Sequence, residues 1–181
     1  ERENEFVYAI LKVYDNESSR RVALLRAGVR GAEPFLDRIV HPEGAGFYPE
    51  DMSRAEFDKH LAAVPGDRAA FTSTVTVIRR RDGKLAAVPY SVEYRELLGR
   101  AAQELRAADA TANDSLKRFL RLRADAFLSD DYYASDMAWM DLDSPIEVVI
   151  GPYETYEDGL YGYKAAVEAF SCVAQPADSA A

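Results

Sequence analysis

The chain has 181 residues, of which 48% are hydrophobic and 29% charged, and its formal net charge is −9. These values describe a soluble globular protein with a hydrophobic core, and no stretch approaches the 18 consecutive apolar residues of a membrane span. The acidic balance argues against a nucleic-acid partner, because phosphate binding needs Lys and Arg on a shared face. The lone cysteine, Cys172, allows no intrachain disulfide, so the compartment stays open between cytoplasm and periplasm.

The two ends of the chain carry the weakest patterns. Residues 1–46 show no decisive periodicity and are predicted to form a poorly defined N-terminal arm. Residues 175–181 are small and polar, and we expect a disordered tail there. Between these ends, residues 47–174 are predicted to form one α+β domain.

The first well-marked element is a helix that follows Ser53. Ser53 and Glu56 have the spacing of a capping box, and Pro65-Gly66 ends the apolar pattern. His60 lies on the apolar face of this helix. A packed, hydrogen-bonded histidine is the favoured interpretation of His60, ahead of a metal ligand.

A β-hairpin is the clearest pattern in the chain. Residues 71–78 are rich in β-branched side chains, and residues 84–90 form the predicted return strand. Between them, Asp82-Gly83 is a favoured two-residue hairpin turn. Arg79-Arg80-Arg81, beside this turn, is the one basic cluster in the sequence.

Three helices are predicted to follow the hairpin. Residues 92–108 carry an apolar stripe, and a second amphipathic helix starts with Asp114 or Ser115 as its cap. The short loop between these helices predicts an antiparallel pair. Residues 131–140 are predicted to form a further short helix.

The last part of the domain is predicted to be a strand, a break and a helix. Residues 145–150 are β-branched and favour a strand, which Gly151-Pro152 is expected to bend or break. Residues 159–162 are interpreted as a flexible joint, and residues 163–170 have the apolar spacing of a helix. The predicted fold class is therefore α+β, with a β-hairpin and an additional strand packed with several helices.

An acidic stretch covers the same part of the chain. From Ala124 to Tyr163 there are ten carboxylates and no Lys or Arg, so this window carries a formal charge of −10. We expect it to present a negative field to a cationic partner. Five of its aspartates could suggest a Ca²⁺ or Mg²⁺ site, but their spacing matches no EF-hand loop, and helix caps and solvated faces are the favoured interpretation. These five are Asp130, Asp131, Asp136, Asp141 and Asp143.

Three strings carry a family resemblance: GFYPEDMSRAEFDKHL, LRLRADAFLSDDYYASDMAWMDLD and SPIEVVIGPYETYEDGLYGYKAAVEAF. Together, roughly from Gly46 to Phe170, they resemble the dipeptidyl peptidase III family of zinc metallopeptidases, in particular its bacterial members. The family binds zinc through a His-Glu-x-x-(x)-His motif and a further Glu downstream. Here His41 and His60 belong to no such motif. The resemblance therefore implies a portion N-terminal to the zinc site, forming an incomplete lobe of a two-lobed peptidase, with no catalytic residue, metal ligand or cofactor of its own.

The same resemblance singles out Glu154 and Tyr156 as substrate-binding residues. Glu154 matches a glutamate that receives the free N-terminal ammonium of the substrate, and Tyr156 matches a tyrosine that lines the same subsites. The chemistry agrees, because a carboxylate binds an amine through charge-assisted hydrogen bonds and a tyrosine adds a hydroxyl and a cation–π face. In an extended backbone the two side chains would point to the same face.

The predicted function is therefore that of a fragment of a dipeptidyl peptidase III-like zinc exopeptidase. The fragment would recognise the N-terminal amine of a peptide substrate, and the remainder of the parent peptidase would be its partner. We expect the parent to use zinc-activated water and the isolated chain to be inactive. Two alternatives stay open: a non-catalytic peptide- or amine-binding module that uses the same acidic surface, and a purely structural domain whose acids keep it soluble.

Overall fold

The computed structural model describes residues 43–108, 110 and 113–174. The predicted N-terminal arm up to residue 42, and the tail over residues 175–181, lie outside the described residues, so the predicted domain boundaries stay a prediction. In chain order, the elements are α1 (Arg54–Ala63), α2 (Arg68–Phe71), β1 (Thr76–Arg81), β2 (Lys84–Pro89), α3 (Tyr90–Glu93), α4 (Arg95–Ala108), α5 (Asp114–Ser129), α6 (Tyr133–Met140), β3 (Ile146–Glu154) and β4 (Ala166–Val173).

These helices and two small sheets confirm the α+β fold class. The chain divides into two compact units. The first unit consists of the residues up to Glu93 together with Pro152–Val167, and the second of Tyr94–Gly151 together with the residues from Glu168 onward. Within the described ranges, no helix has both the length and the apolar character that a membrane crossing requires.

Helix α1 begins where the capping box predicts. The Ser53 side chain accepts a hydrogen bond from the N–H of Glu56 at 3.1 Å, which satisfies one backbone donor of the first turn. His60 Nε2 lies 2.7 Å from Asp67 Oδ2, and its ring stacks on that of Phe71 with the centroids 4.4 Å apart. His60 is therefore the packed, hydrogen-bonded histidine that the sequence favours.

Strands β1 and β2 form the predicted hairpin. They pair antiparallel, with Arg81 opposite Lys84 at the turn end. Asp82 and Gly83 have φ angles of 50° and 75°, as the twist-compatible type I′ turn requires. The predicted start of the first strand is wrong, because Phe71 ends α2 and is 2% exposed there. Burial of its ring in the core outweighs its β propensity.

The second unit contains the three helices that the sequence predicts. Helix α4 packs against α5, and α5 packs against α6. The N-cap of α5 is Asn113, one residue before Asp114, the first of the two residues predicted as the cap. The Asn113 side chain accepts a hydrogen bond from the N–H of Leu116 at 2.9 Å. Phe119 and Phe127 of α5 are both 0% exposed, so this helix supplies the core of the unit.

Strands β3 and β4 form the second sheet, and one predicted element is wrong here. Of the bend or break predicted at Gly151-Pro152, the break is absent, because β3 continues through both residues to Glu154. Proline is compatible with edge strands, and each strand of a two-stranded sheet is an edge. The helix expected over residues 163–170 is also absent, because β4 occupies most of that segment. Pairing with β3 supplies backbone hydrogen bonds, and this tertiary contact outweighs the local helical spacing.

Candidate functional site

The two predicted substrate-binding residues lie at the end of β3. Glu154 is the last residue of the strand, and Tyr156 lies in the turn that follows it. Both side chains are exposed, that of Tyr156 to 60%. Because the strand ends at Glu154, Tyr156 lies in a turn and not on the extended backbone that the predicted shared face assumes. Within the described part of the chain, no hydrogen bond or ion pair engages the Glu154 carboxylate.

The turn that carries Tyr156 is closed by its own backbone. The N–H of Asp158 donates to the carbonyl oxygen of Thr155 at 3.1 Å, and the N–H of Gly159 donates to that of Glu157 at 3.1 Å. Tyr156 therefore projects from a hydrogen-bonded turn that starts directly after the strand.

A buried carboxylate, that of Asp158, organises the loop after this turn. Asp158 is 3% exposed and accepts five hydrogen bonds. Four come from backbone N–H groups: those of Leu160 and Tyr161 on Oδ1, both at 3.1 Å, and those of Tyr163 and Lys164 on Oδ2, at 2.9 and 3.1 Å. The fifth comes from the Tyr48 hydroxyl, 2.7 Å from Oδ2. These donors replace the water that burial removes.

Asp158 changes one expectation. The segment over residues 159–162, predicted to be a flexible joint, is a loop whose backbone is bonded to this carboxylate. Asp158 is also a member of the acidic window whose side chain is buried, so it offers no surface carboxylate to a partner. Burial first, and then the Asp158 carboxylate, raise the pKa of the Tyr48 hydroxyl, so this hydroxyl stays a donor.

Lys164 holds the far end of the same loop. It is 0% exposed, and its Nζ donates to the carbonyl oxygens of Phe71 and Ser73 at 2.6 and 3.0 Å and to Thr76 Oγ1 at 2.9 Å. Three acceptors match the three N–H bonds of an ammonium group. Burial lowers the pKa of Lys164 to about 8, and the charge of Asp158 opposes that shift.

Aromatic rings pack the loop against helix α1. The ring centroid of Tyr161 lies 4.6 Å from that of Phe57 and 5.2 Å from that of Tyr163. The Arg54 guanidinium lies 5.5 Å from the centroid of the Tyr161 ring and donates to the carbonyl oxygen of Gly159 at 3.2 Å. Contacts of this kind hold the loop on the first unit by both dispersion and cation–π attraction.

Several charged side chains elsewhere form ion pairs. Three acids of the window pair with arginines that precede it: Asp125 with Arg106 at 2.6 Å, Asp141 with Arg118 at 3.3 Å and Asp136 with Arg123 at 2.5 Å. The uncompensated charge of the window is therefore smaller than its formal −10. In the basic cluster, Arg79 pairs with Glu93, and Arg80 pairs with Asp51 and with both carboxylate oxygens of Glu56.

The described residues do not fit a zinc ion. No group of three or more His, Cys, Asp or Glu side chains converges within the described ranges. His60 is bound to Asp67, Cys172 is exposed, and His41 lies outside the described residues. A zinc site with three or four converging ligands is therefore not formed by this part of the chain.

The sequence and the fold are similar to those of known proteins. No protein-family model matches the chain. Dipeptidyl peptidase III from Caldithrix abyssi superposes with a TM-score of 0.80 and 48% identity, covering 99% of this chain and 39% of its own. Dipeptidyl peptidase III from Corallococcus sp. strain EGB gives a TM-score of 0.78 and 37% identity, covering 95% of this chain and 36% of its own. The chain matches part of a dipeptidyl peptidase III.

The similarity to dipeptidyl peptidase III supports the resemblance carried by the three strings, and the chain spans less than two fifths of either structure. A protein named Nudix hydrolase 3 from Arabidopsis thaliana is 41% identical over an alignment of 155 residues, and the match covers 73% of this chain and 20% of that protein. Because the match spans a fifth of that protein, its name assigns no activity to the matched part.

Sequence reasoning missed Asp158 and Lys164. Asp158 belongs to the acidic window and Lys164 to the predicted helix over residues 163–170, and nothing local indicates that either is buried. One signal was present, because an aspartate followed by glycines is typical of a side chain that accepts hydrogen bonds from backbone N–H groups a few residues on. The partners Tyr48 and Thr76 are distant in sequence and could not be inferred.

Proposed function

We propose that this chain is the part of a dipeptidyl peptidase III-like peptidase that binds the N-terminal amine of a peptide substrate. Glu154 receives the ammonium group, and Tyr156 lines the same subsite. The observation that carries the proposal is the exposed Glu154 carboxylate, which no described residue engages, at the end of β3 in a chain similar to dipeptidyl peptidase III.

The chemistry of an exopeptidase explains why such a carboxylate is useful. An enzyme that removes short units from one end of a peptide must hold the charged amine at a fixed distance from the bond that it cleaves. A carboxylate does so through charge-assisted hydrogen bonds, and the Tyr156 ring and hydroxyl add contacts to the same end of the peptide. In the proposal, hydrolysis by zinc-activated water belongs to the remainder of the longer peptidase, while this chain binds and orients the substrate.

Direct binding to the 181-residue chain tests the proposal. The chain is titrated with dialanine and with N-acetyl-dialanine while backbone amide chemical shifts are recorded. We expect dialanine to shift the signals of Glu154, Tyr156 and their neighbours, and the acetylated peptide to shift them far less. Glu154→Gln should abolish the preference, because it removes the charge and keeps the size.

Glu147→Gln is the matched control, because Glu147 is an exposed glutamate of the same strand. It should bind dialanine like the wild type. Equal binding of both peptides by the wild-type chain would overturn the proposal. Binding without cleavage by a longer polypeptide that includes the metal-binding portion would instead favour the non-catalytic amine-binding alternative.

A further inference from the structure

We infer that Asp158 is the positioning residue of this amine-binding site, an inference that rests on the proposed function. Asp158 lies two residues after Tyr156 and four after Glu154, too close in sequence to act independently of them. Its buried carboxylate does not reach a substrate. It fixes the backbone from which the two exposed side chains project.

Asp158 holds the turn through its backbone N–H, its carbonyl oxygen and its carboxylate. Its N–H donates to the Thr155 carbonyl oxygen at 3.1 Å, and its own carbonyl oxygen accepts from the N–H of Gly162 at 3.0 Å. The carboxylate gathers four further backbone N–H groups between residues 160 and 164. The turn before Asp158 and the loop after it are thus joined at one residue.

Asp158 is also hydrogen-bonded to the core of the first unit. The Tyr48 hydroxyl that donates to Asp158 belongs to a side chain that is 4% exposed. A Cβ added at Gly159 would lie 3.1 Å from the carbonyl oxygen of Glu43, so the loop packs closely on backbone there. Lys164 then binds the other end of the loop to the segment before β1. The turn therefore has little freedom to move relative to the first unit.

The hydrogen-bond partners of the Asp158 side chain require a carboxylate at position 158. All five partners of Asp158 are donors, two on Oδ1 and three on Oδ2. An asparagine has nearly the same shape, but its NH₂ group would face at least two donors in either orientation. Asp158→Asn thus releases one side of the loop without opening a large cavity.

The test measures amine selectivity, defined as the ratio of the dissociation constants for N-acetyl-dialanine and dialanine. We expect Asp158→Asn to reduce this ratio by about tenfold, as a loss of roughly 1.4 kcal/mol in selective binding would. Amide exchange of Leu160 and Tyr161 should accelerate in the same variant, because their acceptor is disturbed. Leu85→Ala, which truncates a core residue of β2 in the same unit, is the control and should leave the ratio unchanged.

Tyr48→Phe provides a second, milder variant in case Asp158→Asn does not fold. It removes one of the five donors and should reduce the ratio by about threefold, in keeping with one lost hydrogen bond. Wild-type selectivity in folded Asp158→Asn, or in Tyr48→Phe where Asp158→Asn does not fold, would overturn the positioning role and leave the proposed function intact. A wild-type chain without selectivity would overturn the proposed function, and this inference with it.

Discussion

Asp158 and Lys164 are charged side chains that the fold buries six residues apart, at 3% and 0% exposure. Burying a charge costs several kcal/mol unless hydrogen bonds replace its water, and here five donors and three acceptors do so. Both groups hold the loop that follows the candidate site.

The pH dependence of stability should reveal the burial of Lys164. Folding lowers its pKa from the ordinary 10.5 to about 8, so the unfolded chain binds more protons between these two pH values. The free energy of unfolding of the wild type, relative to Lys164→Met, should therefore be flat below about pH 7 and rise between about pH 8 and 10.5. The rise should be on the order of 3 kcal/mol, since the folded and unfolded pKa values differ by about 2.5 and a difference of one corresponds to about 1.4 kcal/mol.

Urea unfolding of both proteins at several pH values measures this difference. Ionisation of tyrosines opposes the rise, because burial raises the pKa of Tyr161 to about 12, but this contribution is common to both proteins and cancels. Lys84→Met, which removes an exposed lysine of β2, controls for the loss of a lysine as such. If the difference in the free energy of unfolding between the wild type and Lys164→Met stayed constant from about pH 7 to 10.5, the burial of Lys164 would be contradicted.

At the scale of elements, the β1–β2 hairpin depends on its turn. Gly83 has φ of 75°, a conformation that residues with a Cβ adopt at a cost. Gly83→Ala should lower the free energy of unfolding by about 1 kcal/mol, because the strained backbone is retained while no contact is lost. The urea midpoint should fall while the m-value stays unchanged.

Gly66→Ala is the matched control for the turn. A Cβ would meet nothing within 4 Å at either Gly66 or Gly83, and Gly83 alone of the two has the left-handed φ. Gly66→Ala should therefore be neutral or slightly stabilising. Equal losses in the two variants would show that the turn conformation is not the cause.

The hairpin also shows which elements the sequence can predict. Its turn residues, its return strand and the cap of α1 are local, and the prediction was right because neighbours in sequence decide them. Strand β4 was missed because its partner, β3, is separated from it by the loop that Asp158 organises. A segment with alanines at helical spacing becomes a strand when another strand offers it hydrogen bonds, and such a contact is invisible locally.

The candidate site likewise contains residues that the sequence could predict and one that it could not. Glu154 and Tyr156 were found because a string of sequence resembles a known family, and the structure places both at the exposed end of β3. An extended backbone was expected through Tyr156, and a turn begins after Glu154 instead. Asp158, which holds that turn, was missed because its burial is set by Tyr48, 110 positions earlier in the chain.

At the scale of the whole molecule, the chain is similar to 39% and 36% of the length of two dipeptidyl peptidase III structures. It contributes an α+β portion with an exposed carboxylate, and the described residues form no cluster of metal ligands. Under the proposed function, this chain binds the substrate amine and the remainder of a longer polypeptide cleaves the peptide. This division of roles leads to a prediction for kcat/KM of the longer peptidase.

The decisive measurement is kcat/KM of the longer peptidase in a cycle of two changes, Glu154→Gln in the protein and N-acetylation of the peptide. Each change alone should lower kcat/KM by about 30-fold, which corresponds to roughly 2 kcal/mol for a lost charged hydrogen bond, with the zinc content unchanged. Both changes together should cost little more than either one, because they delete the same interaction. Fully additive losses would contradict the account, since Glu154 would then not be the group that receives the substrate amine.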